Sequence, residues 1–330
     1  MRAAYLEKIG PPDSIRVGEL PDPKATGSQV LVRVGAASVN PIDTYVRSGA
    51  APMPLPSLFI VGSDLAGVVE AVGPEAKRFK VGMRVWGANQ GVLGRQGTFS
   101  ELAAIDDEWL YPTPATVSDE SAAAFALVGI TVHLGLVDRA HLQAGETIVV
   151  NGGSGAVGSS VIQMAKLLGA RVIATTSSAE KAEYCRSLGA DHVLDYRTDD
   201  VPARVKEIVD GGAHVWWETS REPNFDKIVG SLARHGRVIL MAGRAARPEF
   251  PVGPFYVNCL ALLGFAMFLM PADAQRRAGE DINRWLAAGD IVPAIDRVSK
   301  LEETPELHRL QEENTLQGAG VVRGKLVVKF

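Results

Sequence analysis

Cysteine is scarce in this sequence, with only Cys185 and Cys259 among 330 residues. Two cysteines exclude a disulfide framework, and they favour a reducing compartment such as the cytoplasm. The six histidines, at positions 133, 141, 192, 214, 235 and 308, show no close pairing of the kind that a zinc site needs. We therefore predict that the protein binds no metal.

Excess basic charge and long apolar runs are also missing. The formal net charge is −4, which argues against nucleic acid as a partner. The N-terminus lacks the apolar core of a signal peptide. The one long apolar run, residues 255–270, is interrupted by Asn258 and is shorter than the ~20 residues of a membrane span. We predict no membrane association and interpret this run as a buried strand with its flanks.

The chain changes character near residue 120. Residues 1–120 are rich in glycine and proline with short apolar alternations, which indicates a mostly β domain. From 121 to 268, helical patterns alternate with apolar strands, which predicts an α/β fold with a doubly wound parallel sheet of the Rossmann type. A helix over 273–288 and a closing strand at 324–328 lead us to assign 269–330 to the first domain. The strands of the second domain are predicted at 148–150, 172–174, 192–196, 214–218, 237–241 and 260–268.

A glycine-rich turn lies between the first of these strands and an amphipathic helix. Its sequence, Gly153-Ser154-Gly155-Ala156-Val157-Gly158, has the G-x-G-x-x-G spacing. In this context the glycines allow a tight turn, close approach of the backbone to a pyrophosphate, and close packing of the helix on its strand. The helix N-terminus adds unpaired N–H groups and partial positive charge. We predict that these six residues bind a dinucleotide.

The end of the second strand selects between the dinucleotides. NAD-binding units place Asp or Glu there to hold the ribose 2′-hydroxyl. This chain has the run Thr-Thr-Ser-Ser at 175–178, and Lys181 follows one helical turn later. Ser177 and Lys181 can hold a 2′-phosphate, which predicts NADPH as the cofactor. The alternative for Lys181 is a solvated helix lysine.

Several segments in order resemble a known family. They are "VNPIDTYVRSG" (39–49), "VGSDLAGVVEAVG" (61–73), "FKVGMRVW" (79–86), the glycine-rich segment 151–175, "GRVILMAG" (236–243) and "GKLVV" (324–328). Together they resemble the zinc-free quinone oxidoreductases, the zeta-crystallin-like branch of the medium-chain dehydrogenase/reductase superfamily. The resemblance implies a GroES-like first domain, NADPH, and hydride transfer to quinones or other α,β-unsaturated carbonyls. It also implies the loss of zinc ligands, because zinc members carry Cys near Asn40 and Gly-His-Glu where this chain reads Gly-Ser-Asp at 62–64.

The same resemblance assigns candidate site residues. Tyr45 is expected to orient the substrate, to relay a proton or to gate the pocket, with Asn40 as a polar donor and Asp43 as an orienting partner. The alternative is that Asn40 begins a turn and Asp43 caps a helix. The carboxyl end of the fifth strand adds a further segment, because ligands bind at that edge of the sheet. The remaining expected cofactor contacts are Thr131, Tyr196, Ala242, Gly243, Arg244 and Lys325.

One segment departs from the family pattern. "WWETSREPN" (216–224) stands where an aliphatic strand and a small-residue turn are expected, so that Trp216 and Trp217 either pack in the core or shape a wall of the cofactor site. The functional prediction is an NADPH-dependent, zinc-independent reductase of quinones or enones. Alternatives are an enoyl-thioester or alkenal reductase, and a non-catalytic NADPH-binding protein of the crystallin or RNA-binding kind. The apolar strand at 260–268 further predicts a homodimer through a sheet edge.

Overall fold

The computed structural model describes all of residues 1–330 and contains two compact units. Unit 1 comprises Met1–Ile130 and Pro271–Phe330, and unit 2 comprises Thr131–Met270. The first boundary therefore lies at residue 130, where the sequence suggested 120.

The strands are β1 (Arg2–Leu6), β2 (Arg16–Glu19), β3 (Gln29–Ser38), β4 (Phe59–Ile60), β5 (Asp64–Val72), β6 (Arg84–Gly87), β7 (Leu102–Asp106), β8 (Leu110–Pro112), β9 (Thr147–Asn151), β10 (Arg171–Thr176), β11 (His192–Asp195), β12 (Ala213–Glu218), β13 (Leu232–Leu240), β14 (Ala261–Gly264), β15 (Ile295–Ser299) and β16 (Lys325–Lys329). The α-helices are α1 (Pro41–Ser48), α2 (Asp119–His133), α3 (Ala156–Leu167), α4 (Ala179–Ser187), α5 (Val201–Ile208), α6 (Phe225–Ser231), α7 (Val252–Val257), α8 (Ala272–Ala288) and α9 (Thr304–Leu316).

Unit 2 is built on one six-stranded sheet in the order β11-β10-β9-β12-β13-β14. All of its strand pairs are parallel. Numbered from the first strand of the unit, this order is 3-2-1-4-5-6, which is the doubly wound Rossmann topology. The central strands have apolar middles because helices cover both faces, as β9 shows with residues 147–150 all buried. The predicted fold class is confirmed.

The last strand of this sheet differs from the prediction. Strand β14 has four residues rather than nine, and it is followed by a short 3₁₀ helix, Met267–Leu269. The surrounding run is not a buried strand with its flanks, because Tyr256 is 68% exposed and Leu269 is also 68% exposed. The physical reason is position, since an edge strand is paired on one side only and its flanking segments lack a covering layer. The predicted location at the edge is correct.

Unit 1 holds a seven-stranded sheet and a three-stranded sheet. The larger sheet centres on β3, which pairs antiparallel with β5, β7 and β16. Strand β16 comes from the end of the chain, so that it adds residues 325–329 to a sheet formed mainly by the first hundred residues. Helix α1 follows β3 directly and begins at a capping box, in which Asn40 and Asp43 satisfy each other's backbone N–H groups.

One helical stretch has the length and composition of a membrane span. It runs over Asp119–Arg139, and 78% of its most apolar window is buried inside the protein. Burial of this extent is usual for a core helix of a folded domain.

Candidate functional site

The glycine-rich turn of unit 2 begins at the carboxyl end of β9 and leads into α3. Gly155 is the N-cap of α3 and offers no side chain to cap it. The first backbone N–H groups of a helix have no partner within the helix, so those of Ala156 and Val157 are available to an anion.

Three glycines of the turn have different structural roles. A Cβ on Gly158 would lie 2.2 Å from the carbonyl oxygen of Gly152, so only glycine lets the helix start this close to the turn. A Cβ on Gly153 would lie 2.8 Å from the Cβ of Ala174 on β10. Gly155, in contrast, has only the Gly152 carbonyl oxygen within reach, at 3.7 Å. The turn is therefore packed on its inner side and open at Gly155, which fits the approach of a dinucleotide pyrophosphate.

The end of β10 carries hydroxyls and no carboxylate. Ser178 is the N-cap of α4, and its hydroxyl accepts a hydrogen bond from the backbone N–H of Lys181 at 3.3 Å. Ser177 is half-buried beside it. Tyr196 follows β11, with its backbone N–H bonded to Thr176 O at 3.1 Å, and its side chain is 44% exposed. The predicted residues Ser177, Lys181 and Tyr196 therefore belong to two neighbouring strand ends, since β10 pairs with β11.

The remaining predicted cofactor contacts of unit 2 lie on two segments. Thr131 is on α2 and is 5% exposed. Ala242, Gly243 and Arg244 follow β13 at the carboxyl edge of the sheet. Gly243 has φ +75°, and a Cβ there would lie 2.7 Å from the carbonyl oxygen of Arg221, so this position is restricted to glycine for backbone reasons.

Unit 1 contains a buried polar network centred on Asp64. Its Oδ2 accepts hydrogen bonds from Ser38 Oγ at 2.8 Å and from Asn40 Nδ2 at 2.7 Å. The ammonium group of Lys325 lies 3.5 Å from the same oxygen and donates a hydrogen bond to Asn40 Oδ1. Asp64 Oδ1 accepts from the backbone N–H of Leu127 on α2 at 3.0 Å. The network thus joins β3, β5, β16, α1 and α2, and Lys325 supplies its cation.

Asp43 continues this network on α1. Its Oδ2 accepts from the backbone N–H of Asn40 at 2.7 Å, and its Oδ1 accepts from Ser63 Oγ at 2.5 Å. Asn40 is fully buried and Asp43 is 5% exposed. The helix-cap interpretation of Asp43 is therefore correct, and the same carboxyl also orients Ser63.

Burial perturbs the three ionisable groups in opposite directions. It raises the pKa of Asp43 from 3.8 to about 7, although the hydrogen bond from Ser63 opposes the shift. Burial also raises the pKa of Asp64, against the attraction of Lys325. The pKa of Lys325 is lowered by burial, while Asp64 and Asp43 act to raise it. Asp43 consequently exchanges its proton near neutral pH.

Tyr45 lies on α1, and its side chain is half-buried. Of the three residues predicted for catalysis, it is the one with an accessible side chain. The amide oxygen of Asn40 accepts from Lys325, and its amide nitrogen donates to Asp64 and to the Ser38 carbonyl oxygen. Tyr45 is therefore half-buried, whereas Asn40 and Asp43 are buried.

The positions that hold zinc ligands in related dehydrogenases do not fit a divalent cation in this chain. Asn40, Ser63 and Asp64 are engaged with one another or with neighbours, and the ammonium group of Lys325 already lies beside Asp64. A metal ion there would meet a buried positive charge. The structure also contains no grouping of three or more His, Cys, Asp or Glu side chains that could hold a metal.

Comparison with known proteins identifies the family. A model of the alcohol dehydrogenase GroES-like domain matches residues 26–115, and a model of the zinc-binding dehydrogenase family matches residues 156–282. A quinone oxidoreductase of Pseudomonas aeruginosa is 41% identical over 290 residues, covering 85% of this chain and 86% of that protein. The chain belongs to the quinone oxidoreductases of the medium-chain dehydrogenase/reductase superfamily.

Solved structures of the superfamily share the whole fold. A mycobacterial protein solved in complex with NADPH covers 100% of both chains with a TM-score of 0.87 and 29% identity. A structure described as an NAD-dependent alcohol dehydrogenase also covers 100% of both chains, with a TM-score of 0.89 and 30% identity. The present protein is therefore an oxidoreductase with a GroES-like domain, a nicotinamide cofactor and a small-molecule substrate.

Sequence reasoning did not assign roles to Ser63 and Asp64, nor to Glu218 of unit 2. The available signal was a carboxylate within an apolar strand, "GSDLAGVV" in β5 and "VWWET" in β12. A charged residue in such a setting is seldom buried without hydrogen-bond partners or an opposite charge.

Proposed function

We propose that this protein is an NADPH-dependent, zinc-independent reductase that transfers a hydride to quinones or related α,β-unsaturated carbonyls. The observation that carries the proposal is the buried network of Asn40, Asp64 and Lys325, in which an ammonium group lies beside the positions that bear metal ligands in zinc dehydrogenases. A family member organised in this way needs an acceptor that it can reduce without a Lewis acid. Conjugated carbonyls and quinones meet that requirement.

The preference for NADPH is supported by the end of β10. Thr176, Ser177 and the N-cap residue Ser178 contribute no negative charge there, and Lys181 lies on the first turn of α4. A 2′-phosphate here would meet hydroxyl and amine donors, and β10 itself ends without a carboxylate. The mycobacterial structure with NADPH is consistent with this choice.

The bound cofactor would supply the hydride. Negative charge then develops on the substrate oxygen, and a positioned hydrogen-bond donor stabilises it. We assign this role to the phenol of Tyr45, because it is the half-buried donor among the three candidate residues on or beside α1, whereas Asn40 and Asp43 are buried. Asp43 and Asn40 act as positioning residues, since their hydrogen bonds fix the start of the same helix. Asp43 and Ser63 also hold a proton close to this helix at neutral pH.

A homodimer through β14 is part of the proposal. The strand lies at an open sheet edge, and Leu262 on it is 41% exposed. Helix α7, which precedes this strand in the chain, exposes Tyr256 and Val257, which are 68% and 62% exposed. Pairing of two such edges about a two-fold axis would remove both from solvent.

The decisive experiment measures oxidation of NADPH by the purified protein with a quinone, an alkenal and an enoyl thioester in parallel. Elemental analysis and a chelator treatment accompany each assay, and an RNA-binding titration is run on the same preparation. Turnover of the quinone without zinc is expected. Turnover of the thioester alone would favour the enoyl reductase, and RNA binding without turnover would favour a non-catalytic protein. Stoichiometric zinc whose removal abolishes activity would overturn the zinc-independent mechanism.

A further inference from the structure

Three neighbouring strands of unit 2 end in polar side chains that form one hydrogen-bonded chain. The hydroxyl of Thr175 on β10 donates to Asn151 Oδ1 on β9 at 2.6 Å. Asn151 Nδ2 donates to Glu218 Oε1 on β12 at 2.7 Å. We call Thr175, Asn151 and Glu218 the strand-end bridge. It lies at the carboxyl edge of the sheet, where β9 leads into the glycine-rich turn.

Glu218 is the last residue of the bridge, and each of its two carboxylate oxygens accepts at least one hydrogen bond. Besides Asn151, its Oε1 accepts from the backbone N–H of Ser220 at 2.6 Å, and its Oε2 accepts from Trp216 Nε1 at 3.0 Å. The residue is 1% exposed. All three partners are donors, so an ionised carboxylate satisfies them together. The departure of this segment from the family pattern is thus explained in part, because the Trp216 indole packs in the core and donates to Glu218.

Because Glu218 only accepts hydrogen bonds, it fixes the direction of every hydrogen bond from β12 to the turn. Since Glu218 takes the N–H of Asn151, the amide oxygen of Asn151 faces Thr175, and the Thr175 hydroxyl must donate to it. A lone pair of that hydroxyl is then free to accept from the backbone N–H of Gly152, at 3.2 Å. Gly152 has φ +83° and opens the turn, and the next N–H, that of Gly153, bonds to Thr175 O at 3.0 Å.

We propose that Glu218 is a positioning residue for the dinucleotide-binding turn, acting through Asn151 and Thr175. Its carboxylate orders the first peptides of the turn, so that the N–H groups further along are held ready for the pyrophosphate. The inference rests on the nicotinamide cofactor and is independent of whether NADPH or NADH is preferred and of which acceptor is reduced.

The first test is Glu218→Gln. A glutamine presents one amide nitrogen, which faces either the Trp216 N–H or the N–H groups of Ser220 and Asn151, so donors oppose each other in both orientations. We expect the dissociation constants of NADPH, NADH and ADP to rise together by about tenfold, the scale of one unsatisfied buried donor. The ratio of the NADPH and NADH constants should not change, because the 2′-phosphate would contact a different strand end. An unchanged affinity for all three nucleotides would overturn the proposal, and loss of NADPH affinity alone would do the same.

The second test uses the middle of the bridge. Thr175→Val removes the acceptor of the Gly152 N–H and should weaken nucleotide binding as Glu218→Gln does, while Thr175→Ser keeps the hydroxyl and should bind within about twofold of the unmodified protein. The double variant Glu218→Gln/Thr175→Val should lose no more than the stronger single variant, because one pathway is broken twice. Full additivity would contradict the bridge.

Glu146→Gln provides the control. Glu146 lies at the other end of the same sheet and pairs with Arg237 at 2.6 Å. This change should lower the unfolding temperature and leave nucleotide affinity unaltered. Equal loss of affinity in this variant would show that Glu218 acts only through general stability of the sheet and would refute its positioning role.

Discussion

At the scale of single residues, Tyr45 carries the most direct chemical prediction. Its side chain is half-buried on α1, so Tyr45→Phe removes a donor and leaves the packing in place. Loss of one oxyanion donor typically costs about a hundredfold or more in turnover. We expect a loss of this size for an enone and a smaller one for a quinone, which is the more reactive acceptor. Steady-state kinetics with both acceptors measure the difference.

The affinity of Tyr45→Phe for NADPH is the control and should match that of the unmodified protein. If turnover of both acceptors is unchanged, Tyr45 only packs against its surroundings.

Asp43 predicts a dependence of stability on pH. Its pKa is 3.8 in the unfolded chain and about 7 in the fold, so between these values the folded state keeps a proton that the unfolded state has lost. The free energy of unfolding therefore falls as the pH rises from about 4 to 7. Asp43→Asn stays neutral and lacks this slope. Urea unfolding at pH 5 and pH 7.5 should show the unmodified protein losing about 2.5 kcal/mol relative to the variant.

Parallel stability curves for the two proteins over this range would mean that Asp43 has an ordinary pKa in the fold. Because the comparison is a difference between two proteins, the titration of groups remote from Asp43 cancels.

Ser177 tests the choice of nucleotide. Ser177→Asp places a carboxylate at the end of β10, where it would repel a 2′-phosphate and bind a 2′-hydroxyl. The ratio of catalytic efficiencies with NADPH and NADH should fall by about tenfold or more. Activity with NADH in the same variant serves as the control for folding. Equal efficiency of the unmodified enzyme with both cofactors would count against NADPH preference.

At the scale of elements, the parallel sheet of unit 2 was predictable and its last strand was not. Strands β9, β10 and β12 are buried along nearly their whole length, so their apolar runs mark them directly in the sequence. Strand β14 has the same composition, yet its run continues into exposed turns where packing is one-sided. Apolar content alone does not distinguish a strand from the exposed segments that extend it at a sheet edge.

Long-range pairs explain what sequence reasoning missed at the site. Asp64 and Lys325 are 261 positions apart, and they meet because β16 pairs with β3, which pairs with β5. No local pattern contains that contact. The helix cap at Asn40 and Asp43 is local, by contrast, and the sequence offered it as the alternative to a catalytic role for Asp43.

The glycine-rich turn gives a prediction about an element as a whole. Gly158→Ala would force a Cβ to 2.2 Å from the Gly152 carbonyl oxygen, so α3 must shift and both stability and nucleotide affinity should fall.

In Gly155→Ala the new Cβ would contact only the Gly152 carbonyl oxygen, at 3.7 Å, and Gly155 has φ −76°, which alanine adopts freely. This second variant should therefore unfold at the temperature of the unmodified protein and still bind NADPH more weakly, because its methyl group occupies the open side of the turn. Calorimetry and fluorescence titration separate the two effects, and normal affinity in Gly155→Ala would show that the pyrophosphate does not approach there.

At the scale of the whole molecule, the prediction concerns assembly. The edge strand β14 exposes Leu262 beside its unpaired backbone groups, and the preceding helix α7 exposes Tyr256 and Val257. Such an edge pairs with another chain unless charge or proline prevents it, and this one has neither within β14. We expect multi-angle light scattering to give twice the mass of one chain at micromolar concentration.

Leu262→Glu should shift the mass to that of one chain without lowering the unfolding temperature of unit 2 by much, because the leucine is already 41% exposed. Val81→Glu adds the same charge at a position that is 64% exposed in unit 1, and it should leave the dimer intact. A single-chain mass for the unmodified protein would refute the dimer, and dissociation by both variants would show that net charge, not this edge, controls association.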